Sequence, residues 1–239
     1  MALLEGRRLT KRFGGILALE DVDFSIKEKE IVGLIGPNGA GKTTLFNTIA
    51  GAFKPSSGQT FFDGHDITGL TADRICRLGI ARTFQVARPF PDMTCIENVR
   101  VAVINQEGHG AGEPWEGAVE KSLDFVGISA HGKTLARDLN LIDKKRLELA
   151  RALATRPKLL LLDEVLGGLN TQEIGLAVEL IRKLRDEQGV SIFWIEHVMG
   201  AIMKATERVI VLDQGKTLME GTPSEVVQDE RVIKAYLGE

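Results

Sequence analysis

Apolar and polar positions along the chain fall into two rhythms, and the changes between them outline the fold. Residues 1–30 alternate as short half-buried strands do, with Gly14 and Gly15 marking a turn and "ALEDVDFSIKEKE" giving a second strand. Three short continuous apolar runs, "IVGLIG" (31–36), "PKLLLLDEV" (157–165) and "VSIFWIEH" (190–197), have the character of strands buried on both faces. Between them lie helix-period stretches: "KTTLFNTIAG" ending at Gly51, and "TQEIGLAVELIRKLRDEQG". From about 86 to 155 the pattern is mostly helical, interrupted by the Gly-rich loop "NQEGHGAGEPWEG" (105–117). "PSSGQTFFDGHDI" reads as turn, strand and turn, "RVIVLDQGKTLMEGT" as a hairpin, and "PSEVVQDERVIKAYLG" as one closing helix opened by Pro223. Alternating strands and helices of this kind predict an α/β fold with a mainly parallel core sheet covered by helices.

Composition narrows the class without changing that picture. The 239 residues carry 44% apolar and 26% charged side chains, as soluble globular chains do, and suffice for one large domain. A net charge of −3 supplies no basic field for nucleic acid. Cys76 and Cys95 have no metal or redox spacing and read as incidental or buried thiols of a reducing compartment. No apolar stretch approaches the roughly 20 residues of a membrane span, so action at a membrane is expected to run through a partner. His65, His109, His131 and the run "KEKE" (27–30) read as solvated, and Trp115 as a loop residue.

Candidate chemistry concentrates at the strand ends. Gly36, Pro37, Asn38, Gly39, Ala40, Gly41, Lys42 and Thr43 spell G-x-x-x-x-G-K-T, after a strand and opening a helix, with Thr44 following. In that context the glycines let backbone N–H groups curl around a phosphate, and the helix N-terminus adds partial positive charge. Lys42 is expected to reach the β and γ oxygens, and the Thr43 hydroxyl to ligate Mg²⁺. A phosphate loop alone does not separate kinases, GTPases and ATPases. The buried strand ending in Asp163 adds a carboxylate placed for Mg²⁺, and Glu164 next to it can polarise water. His197 closes a third strand, where an imidazole could sense a γ-phosphate.

With "GPNGAGKTT", "ARTFQ", "RLELARALATRPKLLLLDE" and "WIEH" in that order, the whole chain resembles the ATP-binding subunits of ABC transporters. "ARTFQVARPFPDMTCIENV", "IEHVM" and the tail "DERVIKAYLG" make it most similar to the branched-chain amino-acid importer branch, with lipopolysaccharide-export ATPases sharing a similar tail. The resemblance implies a P-loop NTPase cassette spanning 1–239: a core with an N-terminal antiparallel β-subdomain at about 1–85 and 156–239, and a helical subdomain at about 86–155. It implies ATP and Mg²⁺ as cofactors, Phe13 stacking on adenine, Gln85 touching Mg²⁺ and the attacking water, and catalysis by Lys42, Gln85, Glu164 and His197. It also implies partners: a second, non-identical ATPase subunit, transmembrane permease subunits and, indirectly, a periplasmic solute-binding protein. The location implied is peripheral, on the cytoplasmic face of the inner membrane.

The chain departs from that pattern in three places. Val165 stands where Pro is usual, and Asn170 replaces Asp in "GGLN" (167–170). "LNLID" (139–143) replaces the Leu-Ser-Gly-Gly-Gln signature, whose helix faces the γ-phosphate held by the partner subunit. There, Asn140 is expected to cap or to offer an amide donor in place of the serine hydroxyl, Ile142 to block close backbone approach, and Asp143 to set a negative charge beside an anion. The expected result is one competent and one crippled site in a heterodimer. The other readings are an exporter ATPase, a nucleotide-binding scaffold with little turnover, and a soluble ABC ATPase working on DNA or ribosomes. The last lacks the insertions or tandem domains such proteins carry.

Overall fold

The alternation at the N-terminus builds a long hairpin. In the computed structural model, which describes residues 2–85, 88–104 and 115–237, strand β1 (Ala2–Phe13) pairs antiparallel with β2 (Ile16–Lys27). On its other edge β1 pairs with β4 (Ser57–Phe62), which pairs with the short β5 (His65–Asp66), giving a sheet ordered β2-β1-β4-β5.

The three apolar runs become β3 (Ile31–Ile35), β7 (Leu159–Asp163) and β8 (Ser191–Ile195), and every residue in them is buried. They sit in a six-stranded sheet ordered β10-β9-β3-β8-β7-β6, with β6 at Ile80–Arg82, β9 at Arg208–Asp213 and β10 at Lys216–Gly221. All its pairings are parallel except the β9–β10 hairpin. Burial on both faces splits each strand between two cores. Phe193, Leu161 and Leu34 join Phe24 and Phe46 beneath the antiparallel sheet and helix α1 (Lys42–Ile49), with Phe46 and Phe193 ring centroids 5.1 Å apart. Trp194, Leu160, Leu162 and Ile35 face the opposite core. That core is shared with α3 (Cys95–Ile104), α4 (Trp115–Phe125), α5 (Leu141–Leu153), α6 (Thr171–Gln188) and α7 (Met199–Ala205).

Four local expectations change. Helix α2 (Ala72–Leu78) and strand β6 carry too few residues for periodicity to announce them. Trp115–Gly117 open α4 rather than belonging to the Gly-rich loop, whose remainder, with His109, lies outside the described residues. The closing helix is two, α8 (Pro223–Gln228) and α9 (Glu230–Leu237). At the break, the Asp229 backbone is extended (φ −73°, ψ 120°) and its side chain accepts the N–H of Arg231 at 2.8 Å. "KEKE" is not wholly solvated either: Arg208 grips Glu30 at 2.9 Å with both side chains mostly buried, holding its carboxyl below the usual range against burial, which pushes the other way. His65 and His131 are exposed as expected, with His131 Nε2 3.8 Å from Asp143. Cys76 and Cys95 are unbridged, Cys95 fully buried.

Candidate functional site

The phosphate loop begins where β3 runs out of room. Gly36 turns with φ +150°, and a Cβ there would lie 2.0 Å from the Leu212 carbonyl oxygen, so no larger residue fits. The chain then curls through an Ala40 N–H to Pro37 carbonyl bond of 3.2 Å into α1. Gly41 caps α1 with φ 102° and offers no side-chain acceptor, so the first-turn N–H groups remain available to an anion. A Cβ at Gly39 would meet nothing within 4 Å, and Asn38, Gly39 and Thr43 are exposed, with Pro37 and Thr44 partly so. The Lys42 ammonium is folded back, donating to the carbonyls of Gly36 at 2.6 Å and Pro37 at 2.9 Å. Burial lowers its pKa, opposed by the negative charges of Glu164 and Asp163.

Those carboxylates sit at the end of β7 and are held differently. Asp163 is buried, and its Oδ2 takes a 2.8 Å ion pair from Arg82, whose other arm donates to Asn47 of α1 at 2.6 Å. Arg82 Nε is buried with no partner of its own. Glu164 follows with a left-handed backbone (φ +49°), uncommon for a side chain of that size. Its Oε2 accepts from Gln85 Nε2 at 2.6 Å and its Oε1 lies 2.5 Å from His197 Nε2. Gln85, Glu164 and His197 thus come together from three segments, and Glu164 lies within electrostatic reach of Lys42.

Beneath them, Glu196 is buried and accepts the N–H groups of Leu166 at 2.7 Å and His197 at 3.1 Å, bracing both strand ends. Burial raises its pKa even against those hydrogen bonds. Glu148 of α5 is likewise buried with a raised pKa, and it accepts the Phe84 N–H at 3.0 Å. The exposed Thr43 hydroxyl, the Gln85 side-chain carbonyl and the Asp163 carboxylate are hard oxygen donors of the kind a small divalent cation takes. Phe13 is 41% exposed, edge-on to Phe53 at a centroid distance of 5.2 Å, with the Lys11 ammonium 4.9 Å from its ring.

The turn 139–143 is arranged otherwise than its sequence led us to expect. Asn140 does cap α5, its Oδ1 accepting the Asp143 N–H at 2.8 Å. Asp143, however, is buried: its carboxylate lies 3.6 Å from Arg146 and 3.8 Å from His131, turned into the helical layer and away from any anion in front of the helix. Ile142 lines a cleft of about 220 Å³ between α5 and α6. The apolar side chain left at the front is Leu141, half exposed, with its Cδ2 3.0 Å from where a Gly168 Cβ would stand. Obstruction therefore comes from Leu141, and the negative charge is withdrawn. Helical spacing explains the change, because positions 141 and 143 lie on opposite sides of the first turn.

A strand, an anion-binding loop and a helix N-terminus, with two carboxylates at the end of a parallel strand one place beyond its neighbour, define a P-loop nucleoside triphosphatase. Residues 19–167 match the ABC transporter family, and the chain belongs to that family as an ATP-binding cassette ATPase. Residues 216–239 match the branched-chain amino acid ATP-binding cassette transporter family. The chain is 40% identical to the high-affinity branched-chain amino acid transport ATP-binding protein BraF of Pseudomonas aeruginosa, over 99% of this chain and 98% of that protein. It is 33% identical to the lipopolysaccharide export system ATP-binding protein LptB of Escherichia coli, over 100% and 98%. Among solved structures, the ADP conformation of the cassette MJ1267 aligns over 100% of both chains with a TM-score of 0.90 and 28% identity. No helix among the described residues is long and apolar enough to cross a membrane.

Proposed function

We propose that this chain hydrolyses ATP to drive uptake of branched-chain or closely related amino acids. It works as one of two non-identical ATPase subunits on the cytoplasmic face of a membrane transporter fed by a solute-binding protein. The observation that carries the catalytic reading is the convergence of Gln85 and His197 on Glu164, beside a phosphate loop whose lysine is already buried. The full-length likeness to BraF and the separate match of the tail support the cargo and the direction. They favour import over export, since the likeness to LptB is lower.

In this reading Lys42 leaves the carbonyls of Gly36 and Pro37 for the β and γ oxygens of ATP, while the α1 N-terminus and Gly39 receive the phosphates. Phe13 stacks on adenine. Thr43, Gln85 and Asp163 would hold Mg²⁺, which would supply positive charge against the phosphates. Glu164 orients and polarises the attacking water, with His197 and Gln85 fixing its carboxylate and reporting the γ-phosphate. A signature helix from the partner subunit completes the site.

We assign 86–155 to a helical subdomain. A cleft of about 600 Å³ between α2, α3 and α5, lined by Ile75, Phe84, Arg88, Val101 and Arg151, suits a short cytoplasmic helix of a permease. Gln85 and Phe84 join that cleft to the catalytic carboxylate, so a push on one is felt at the other.

The test is vesicle reconstitution of this chain with its neighbouring permeases, second ATPase and solute-binding protein. ATP-driven accumulation of leucine, isoleucine or valine is expected. ATP hydrolysis accompanied by transport of none of them, or by outward movement of a lipid, would overturn the cargo or the direction.

A further inference from the structure

The last helix of the chain reaches the first residue of the phosphate loop. The Gly36 N–H donates to the Tyr236 phenolic oxygen at 2.8 Å, across 200 residues of sequence. Gly36 is also the residue whose carbonyl holds the Lys42 ammonium at 2.6 Å. Its two backbone hydrogen bonds therefore run to the C-terminal helix on one side and to the phosphate lysine on the other.

Gly36 needs such pins. It sits at φ +150°, and a residue without a side chain has little intrinsic preference to hold it there. The N–H bond fixes the peptide entering Gly36, and the lysine fixes the peptide leaving it. When Lys42 moves to a phosphate the second pin is lost, and Tyr236 becomes the remaining restraint on this residue.

Helix α9 is built to carry that restraint. Val232 and Tyr236 are one helical turn apart on the same face; Val232 is 5% exposed in the main core, and Tyr236, 44% exposed, turns its hydroxyl to the loop. The Asp229 carboxylate, bonded to Arg231 and held down to about 2, braces the start of the helix. Burial raises the Tyr236 phenol, so it stays a neutral hydroxyl at physiological pH, well able to accept an N–H.

We infer that the C-terminal helix is part of the nucleotide site, and that Tyr236 is a positioning residue which holds Gly36 in its loaded conformation through the Gly36 N–H. The inference rests on 36–43 binding nucleotide, and it assigns a physical role to the tail segment matched at 216–239.

Tyr236→Phe keeps the ring and removes the acceptor. In the full chain we expect it to weaken binding of a fluorescent ADP analogue about 3- to 10-fold, the worth of one hydrogen bond, with a fall in melting temperature of no more than about 5 °C. Val119→Ala is the control, loosening the buried face of α4 without touching α9 or the phenol. It should lower the melting temperature by several degrees yet leave ADP affinity of the folded chain unchanged. An affinity for Tyr236→Phe within about 2-fold of the native value, or an equal loss of affinity in Val119→Ala, would overturn the inference. Absence of ADP binding by the native chain would instead refute the nucleotide site itself.

Discussion

The loop 36–43 and the turn 139–143 each deliver a helix N-terminus to the surface, and they treat its backbone donors in opposite ways. At α1, Gly41 supplies no side-chain acceptor, the first turn has no acidic residue, and Gly39 leaves open space in front. At α5, Asn140 consumes the Asp143 N–H, and Leu141 leans on Gly168 across the approach. A helix end that must receive phosphate leaves its N–H groups unpaired and its surroundings bare. One that satisfies them internally is stable by itself and a poorer partner for an anion. On the proposed function, the first end serves as a strong cis half-site and the second as a weak trans face, an arrangement that would suit pairing with a dissimilar subunit.

If that contrast is right, disturbing the phosphate side should cost far more than disturbing the signature side. Arg82→Leu strands the buried Asp163 carboxylate and frees Asn47. Breaking such a pair costs about 3–5 kcal/mol, to be read by urea unfolding of the nucleotide-free chain. A loss below about 1 kcal/mol, the range of exposed pairs, would show that Arg82 does not organise the carboxylate. Asn140→Ala removes only a cap and should cost about 1 kcal/mol by the same measurement. ATP turnover of the chain with its partner should stay within about 2-fold, because the helix end it caps is not the one completing the productive site. A large loss of turnover with unchanged stability would mean that the Asn140 amide works on phosphate after all.

Legibility in the sequence followed how local each signal is. The phosphate loop, the runs ending in Asp163 and His197, and the β9–β10 hairpin were readable because each motif is contiguous and sits in an element whose period announces it. Gln85 and Phe13 entered only through resemblance. Arg82, Glu196 and Tyr236 stayed invisible: their partners are 81, 30 and 200 residues away, and nothing in the neighbouring sequence signals an ion pair, a strand-end brace or a loop pin. The misreading of 139–143 had a different cause. Which of its residues faces outward depends on how α5 packs against α3 and α4. Similarly, the break between α8 and α9 rests on the side chain of Asp229 meeting the backbone two residues on, a competition that helical periodicity does not record.

The asymmetry itself is tested most directly by one pair of substitutions in the reconstituted heterodimer. Glu164→Gln in this chain should reduce ATP hydrolysis at least about 100-fold, as expected for loss of the group that handles the attacking water. The equivalent change in the partner should leave about half or more of the turnover. Equal losses from the two substitutions, or a larger loss from the partner's, would contradict the account.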